Sequence, residues 1–226
     1  MDSQENESGG NNQEMVHHIS LSKGFYIQTM EVTQGQWKAV MKDNPSYFKN
    51  CGDDCPVERV SWLDAQLFIK KLNKKERHKK YRLPTQAEWE YACRAGSTTA
   101  FSFGACLTTD QANYDGNNPL IGCVYGLFRK KTLSVASFLP NAWGLYDMHG
   151  SVWEWCEDMC HDNGIIEAGI FHDGAVNPIS KKGENRVIKG GSWISDASYC
   201  RSACRDGYSQ DYKSYNLGFR LPPVSG

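Results

Sequence analysis

Apolar residues recur at helical spacing in three short windows early in the chain, and that spacing dissolves after residue 96. Residues 25–32, "FYIQTMEV", alternate instead and predict a strand. "TQGQ" (33–36) follows with the form of a capping box, in which a threonine hydroxyl and a glutamine amide satisfy open backbone groups. It predicts a short helix through Trp37 and Met41, ended by Asn44-Pro45. "SWLD" (61–64) opens a second helix with Leu63, Phe68, Ile69 and Leu72 on its inner side. "TQAE" (85–88) caps a third, which stops at Gly96. Beyond it Gly, Asn, Asp and Pro become frequent, and residues 113–126 and 161–185 read as long loops. The class is therefore α+β, with few helices, short strands and much ordered loop.

Composition narrows the function classes. The 226 residues are 40% hydrophobic, enough for one sizeable core, and one domain is expected over 19–226 behind a disordered polar leader at 1–18. Residues 1–14 lack the apolar stretch of a signal peptide; they read as a tether or a frayed terminus. A net charge of −1 gives no reason to expect nucleic acid or an anionic membrane as partner. The basic run at 74–80, broken by Glu76, reads as a solvated helix end. No apolar run approaches the roughly 20 residues of a membrane helix, so direct insertion is not expected. The nine cysteines are odd in number, leaving at least one unpaired or pairing with another chain. Cys51/Cys55 and Cys156/Cys160 are close pairs, and no second pair at zinc-like spacing stands out. Disulfides or buried thiols are expected ahead of zinc, and an oxidising compartment with them. The seven tryptophans are expected to be packing residues. His17, His18 and His161 fall in no catalytic motif.

Five stretches in order carry a family resemblance: "MEVTQGQW" (30–37), "PVERVSWLDAQLF" (56–68), "YRLPTQAEWEYACRAG" (81–96), "NAWGLYDMHGSVWEW" (141–155) and "RVIKGGSW…NLGFRL" (186–221). The chain resembles the formylglycine-generating-enzyme, or sulfatase-modifying-factor, family from about residue 19 to 222. The resemblance implies a loop-rich C-type lectin-like fold. The founding enzymes oxidise a sulfatase cysteine with oxygen and a copper(I) ion held by two cysteines, and soft thiolates suit that soft ion. Here Cys200 falls on the second copper ligand, but Ser195 stands in place of the first. A protonated, hard hydroxyl is a poor Cu(I) ligand. Enzyme activity is not expected, no cofactor is required for function, and Cys200 is expected to be structural, paired with Cys93 or simply buried. The family also implies structural calcium, held by side chains of Asp147 and Glu154 and carbonyls of Gly150 and Val152, all hard oxygens. The bland alternative is that the two acids only satisfy backbone amides. A second family site would use Asn113 and Tyr114, but the matching carboxylate near Leu127 and Arg129 is missing.

Between Trp193 and Gly218 lie 24 residues, of which 14 are Ser, Tyr, Asp, Gly or Asn. That palette is the one antibody loops use, Tyr giving rigid contact area and Ser, Gly and Asn adaptable hydrogen bonds. The segment resembles the variable region of diversity-generating-retroelement proteins of the treponemal type, a branch of the same family. Their asparagine codons are randomised at adenines, which never yields Lys, Glu, Gln, Met or Trp. Only Gln210 and Lys213 here belong to that excluded set. Trp193, Ala197, Cys200, Arg201, Ser202, Ala203, Arg205, Asp211 and Leu217 read as fixed scaffold. The gaps hold Ile194, Ser195, Asp196, Ser198, Tyr199, Cys204, Asp206, Gly207, Tyr208, Ser209, Tyr212, Ser214, Tyr215 and Asn216, all reachable from an asparagine codon through its adenines.

The expected function is thus non-enzymatic ligand binding, with a diversified site at 190–221 and a macromolecular partner, a protein. A monomer at the cell surface or outside the cell is expected. The alternatives are a formylglycine-type oxidase with an altered copper site, or an undiversified protein- or carbohydrate-binding module.

Overall fold

A computed structural model describes residue 14, residues 16–77 and residues 81–222. Most of the expected leader, residues 1–13 and 15, lies outside the described residues, as does part of the basic run. Glu14 belongs to the folded body: its carboxylate receives two hydrogen bonds from the buried Arg201 guanidinium at 2.7 and 3.0 Å.

Each expected helix starts where its capping box lies. Helix α1, Gln34–Met41, is capped by Thr33; α2, Trp62–Lys75, by Ser61; α3, Gln86–Arg94, by Thr85. In all three the cap hydroxyl accepts from the third backbone N–H while that residue's side chain reaches back. Phe68 and Ile69 point into the core as expected, but Leu63 is 46% exposed. It sits in the first turn, where its backbone N–H donates to the Gln210 carbonyl at 3.1 Å. The C-terminal segment docks at that end of α2 and leaves the Leu63 side chain outside.

The four strands come late: β1, Trp153–Cys160; β2, Asn185–Lys189; β3, Arg205–Ser209; β4, Leu217–Gly218. The sheet order is β3-β2-β1-β4, antiparallel except for the β1/β4 pair. Residues 25–32 form no strand of this sheet, and the chain bends at Thr29 and Met30. Gln28 and Val32 donate to the carbonyls of Leu221 and Phe219, so the segment straps the chain's C-terminal end without building a ladder. The alternation survives as packing, since Phe25 and Ile27 lie against the core beneath α3.

Three apolar clusters hold the layers. The largest joins α1 and α2 to the sheet through Trp37, Phe68, Trp153, Trp155 and Phe219. A second lies beneath α3, around Trp89, Cys93, Cys156 and Val187. The third, with Phe101, Leu107, Tyr114 and Cys200, pins the helix- and strand-free stretch 95–152 against the turn at Ala197–Cys200. Six of the seven tryptophans are buried; Trp143 is the exception.

Cys51–Cys55 and Cys106–Cys123 form disulfides, whereas Cys93, Cys156, Cys160, Cys200 and Cys204 are buried free thiols. Of the two alternatives for Cys200, the bridge to Cys93 is absent and the buried thiol is found. Cys93 instead lies against the Ser202 hydroxyl at 3.5 Å, and Cys200 beneath Gly191. Among the described residues no helix is long and apolar enough to cross a membrane.

Candidate ligand-binding surface

The segment between the "GGSW" turn and the "GFR" motif is held at both ends and along its length. At its start, Gly191 has φ +71°, and a Cβ there would come within 2.5 Å of the Cys200 sulfur, so only glycine lets the turn close over that thiol. Trp193 follows, 5% exposed, with its ring edge-on to Phe48 at 5.4 Å, its backbone N–H donating to the Ser151 carbonyl and its indole N–H to the Tyr215 carbonyl. At the far end Phe219 is fully buried against Trp37 and Phe68. Arg220 then makes a two-point ion pair with Glu154 at 2.7 Å, both side chains buried, and Trp89 Nε1 donates to the same carboxylate.

Between these anchors, backbone bonds from distant loops fix the path. Asp115 donates to Ser195, Ala197 to Asn118, Ser202 to Ala100, and Arg59 to Ser214. Residues 205–209 pair with β2 in full register. The scaffold residues Ala197, Cys200, Arg201, Ser202, Ala203 and Leu217 are all buried. Ile194, Tyr199, Tyr208, Ser209, Tyr212 and Tyr215 are exposed, and Ser195, Asp196, Ser198, Asp206, Ser214 and Asn216 are half-buried. Burial therefore alternates with the residues of the segment and turns twelve of the fourteen gap positions toward solvent.

Two gap positions do not share this surface. Cys204 is 6% exposed within the largest core cluster. Gly207 is buried in β3, where a Cβ would lie 2.3 Å from the Cys160 sulfur. Neither can present a side chain to a ligand without moving the sheet. Nor are the tyrosines free-standing. Tyr208 and Tyr212 stack at 4.3 Å, Tyr215 leans on Trp193 at 5.6 Å, and Tyr208, Tyr212 and Tyr215 are 37–41% exposed. They form a half-covered aromatic surface with Asp196, Asp206 and Asp211 in the same segment. A missed contributor is Tyr47, in the loop after α1, 64% exposed and 6.0 Å from Tyr215. Nothing in its local pattern marks it; only the fold brings it to this segment.

The model of the sulfatase-modifying factor enzyme 1-like domain matches residues 1–222. The chain belongs to this family. The formylglycine-generating enzyme of Bos taurus is 37% identical over 175 residues, covering 74% of this chain and 43% of the relative. That of Thermomonospora curvata is 34% identical over 221 residues, covering 91% and 70%. The chain thus spans less than half the length of the mammalian relatives it matches. Among solved structures, Treponema denticola variable protein 1 superposes with a TM-score of 0.78 at 28% identity, covering 98% of this chain and 92% of that one. PvdO from Pseudomonas aeruginosa gives 0.80 at 27% identity, covering 100% and 90%. The fold is the loop-rich C-type lectin-like fold of this family.

In this member of the sulfatase-modifying-factor family, Ser195 Oγ is held by the Ser192 backbone N–H at 3.1 Å and lies 2.9 Å from the Ser192 hydroxyl. Cys200 is fully buried, and burial pushes its thiol well up. Cys93, also buried, has its thiol pushed up to about 12, and burial drives the adjacent His149 down to about 4. Both members of that pair are neutral at ordinary pH, the reverse of the thiolate–imidazolium state that makes a cysteine nucleophilic. The Ser102 backbone N–H donates to His149 Nε2, which leaves Nδ1–H to donate to the Cys200 carbonyl at 2.8 Å. His149 is thus a structural clamp on the turn that carries Cys200.

At the family's calcium loop, Asp147 Oδ2 accepts from the Ala136 N–H, and Glu154 is engaged by Arg220 and Trp89. Glu31 lies beside them, fully buried, with neither carboxylate oxygen hydrogen-bonded. Burial first, then the charge of Asp147, pushes its carboxyl well up. Three acids gather around one guanidinium, and burial favours the neutral form of Glu31 and Asp147; their hard oxygens are of the kind a divalent cation takes, and such an ion would favour their ionised forms. Among the described residues no three His, Cys, Asp or Glu side chains converge on one point, so backbone carbonyls would have to complete the shell. At the second family position Arg129 donates to the Thr109 carbonyl, a cation where a carboxylate is needed.

Proposed function

We propose that this chain is a non-enzymatic binding protein whose C-terminal segment is a diversified site for a macromolecular partner, a protein. One observation carries the reading: twelve of the fourteen gap residues have accessible side chains, while most of the scaffold residues between them are buried. Side chains can then change while the backbone stays put. Twelve positions make up about half of the roughly 20–30 residues on one side of a standard interface. Half-covered tyrosines lose little entropy on binding, which suits them to be its anchors.

The decisive test is genomic. A near-copy of the codons for 190–221, differing at adenines and lying near a reverse-transcriptase gene, is the expected finding. Its absence would leave an undiversified binding module. Oxidase chemistry is disfavoured because a hydroxyl stands where the family's first copper thiolate belongs, and the remaining thiol is buried and protonated. Incubation with Cu(I), oxygen, reductant and a sulfatase-type cysteine peptide should yield no aldehyde; turnover at enzyme-like rates would reverse the assignment. The two disulfides support placement in an oxidising compartment, at the cell surface or outside the cell. Calcium, held by Asp147, Glu154 and the carbonyls of Gly150 and Val152, would serve as a structural ion.

A further inference from the structure

The whole-chain charge of −1 conceals a segregation. Residues 116–146 hold Arg129, Lys130 and Lys131 and not one Asp or Glu. Within this stretch lies an apolar loop, "PLIGCVYGLF" (119–128), without a charged or amide side chain. Ile121 is 94% exposed, Tyr125 79%, Val124 65% and Leu127 59%. Apolar side chains gathered in water are the informative exception on a protein surface, and such patches mark contact sites. The loop is held in shape. The Cys106–Cys123 disulfide staples it to the body, Asp115 bridges Phe128 across its base, and the Gly126 N–H donates to the Gly116 carbonyl at 2.8 Å.

Two features narrow what covers it. The first is shape. At such exposure Ile121 has almost no protein against it, so the tip is a projection and not a hollow. A folded partner would have to offer a matching hollow. A fluid bilayer interface closes around any shape and takes aliphatic side chains and the amphipathic tyrosine ring together. The second is charge. Lys130 and Lys131 are exposed and make no ion pair among the described residues. They follow Leu127 closely, within about 10–13 Å of chain. Cations at the foot of an apolar tip complement the anionic headgroups of a lipid surface.

We propose that the 119–128 loop is a membrane-docking tip: Ile121, Val124, Tyr125 and Leu127 enter the interface of an anionic lipid bilayer, and Lys130 and Lys131 meet its headgroups. This is contact by a loop and not a span. The loop's base meets the start of the variable segment, where the Asp115 N–H donates to the Ser195 carbonyl and Phe128 stacks on Trp193 at 6.2 Å. A partner held by the segment would then be one carried on that membrane. That consequence rests on the binding-protein reading above; the lipid contact does not.

Cosedimentation of the folded, oxidised protein with lipid vesicles tests it. Binding to equimolar phosphatidylcholine and phosphatidylglycerol is expected, about tenfold weaker on phosphatidylcholine alone. Ile121→Ser combined with Tyr125→Ser should weaken binding to the anionic vesicles by at least about tenfold at unchanged Tm. Lys130→Gln combined with Lys131→Gln should cost about tenfold on the anionic vesicles and nothing on the neutral ones. Changing Tyr208, Tyr212 and Tyr215 to Ser should leave lipid binding as it was. No binding to the anionic vesicles, or binding indifferent to the tip changes, would overturn the proposal. A dimer or protein complex that the tip changes dissolve, with no lipid binding, would overturn it too, because the loop would then be a protein contact. Lipid binding lost in the tyrosine variant would move the contact into the segment. A gene with no template repeat would remove the diversified site and leave the lipid contact standing.

Discussion

Replacing an anchor and replacing a surface tyrosine should have very different costs. Trp193 is 5% exposed, ringed by Phe48, Phe128 and Tyr215, and it fixes the start of the segment. Trp193→Ala removes an indole from a packed site that the tethered backbone cannot collapse into, and the expected loss is about 3–5 kcal/mol. Phe219→Ala, at 0% exposure against Trp37 and Phe68, belongs in the same range. Tyr208, Tyr212 and Tyr215 expose 37%, 39% and 41%. Full burial of a large apolar side chain is worth about 1.5–3 kcal/mol, so three-fifths coverage corresponds to about 1–2 kcal/mol each. Part of the coverage of Tyr208 and Tyr212 is their mutual stack, so their double replacement should cost less than the sum of two singles. Each single Tyr→Ser change should therefore fall near 1 kcal/mol, more than a free surface residue costs. Urea unfolding of the oxidised protein, comparing midpoints at constant m, measures the difference. In thermal unfolding the anchors should drop Tm by on the order of 10 °C. Tyr→Ser losses equal to that of Trp193→Ala would show that the tyrosines are core, and the segment would then be ordinary structure.

Other outcomes follow from the same packing. Arg220→Met leaves Glu154, Glu31 and Asp147 without their shared guanidinium and should cost about 3–5 kcal/mol at neutral pH. Because the stranded carboxyls would then titrate above their unfolded values, that variant should regain stability as pH falls, which melting at pH 5 and pH 8 would show. Burial holds His149 near 4, below its ordinary value of 6.5. The neutral ring therefore contributes stability above pH 6.5, about 3 kcal/mol, that is lost as pH falls toward 4. Asp158, raised to about 6 by burial, works in the opposite direction over that window. Subtracting the His149→Gln curve from the wild-type curve isolates the histidine, and an NMR titration midpoint near 6.5 would refute the assignment. Chelation should lower Tm and added calcium should restore it, since an ion bound only to the folded state stabilises that state. Indifference to both would leave the Asp147–Glu154 loop bonded by protein groups alone. The five buried thiols should resist a disulfide-exchange reagent in the native state and react in the unreduced, unfolded chain.

What the sequence determined was whatever is settled within a few residues. Thr33, Ser61 and Thr85 cap their helices with partners three positions on, and such bonds form whatever the rest of the chain does. The interleaving of scaffold and gap residues between Trp193 and Gly218 was also readable, but through the resemblance to the family's fixed residues rather than from polarity, since the scaffold's Arg201 and Ser202 are buried while Ile194 is exposed. Tertiary structure decided the rest, because burial and pairing depend on what lies opposite. Residues 25–32 alternate like a strand, but their backbone bonds go to scattered partners, the carbonyls of Leu221 and Phe219 and the N–H groups of Tyr146 and Val57, so they form a strap and not a ladder. Leu63 has a helical partner pattern but lies where the C-terminal segment docks. Cys106 and Cys123 bond across 17 residues of loop, while Cys93 and Cys200 pack against other groups and remain thiols. Cys204 and Gly207 have the composition of gap residues, yet the sheet and core close over them. Tyr47, remote in sequence and unmarked by any motif, joins Tyr215 because α1 and the end of the variable segment pack on one core.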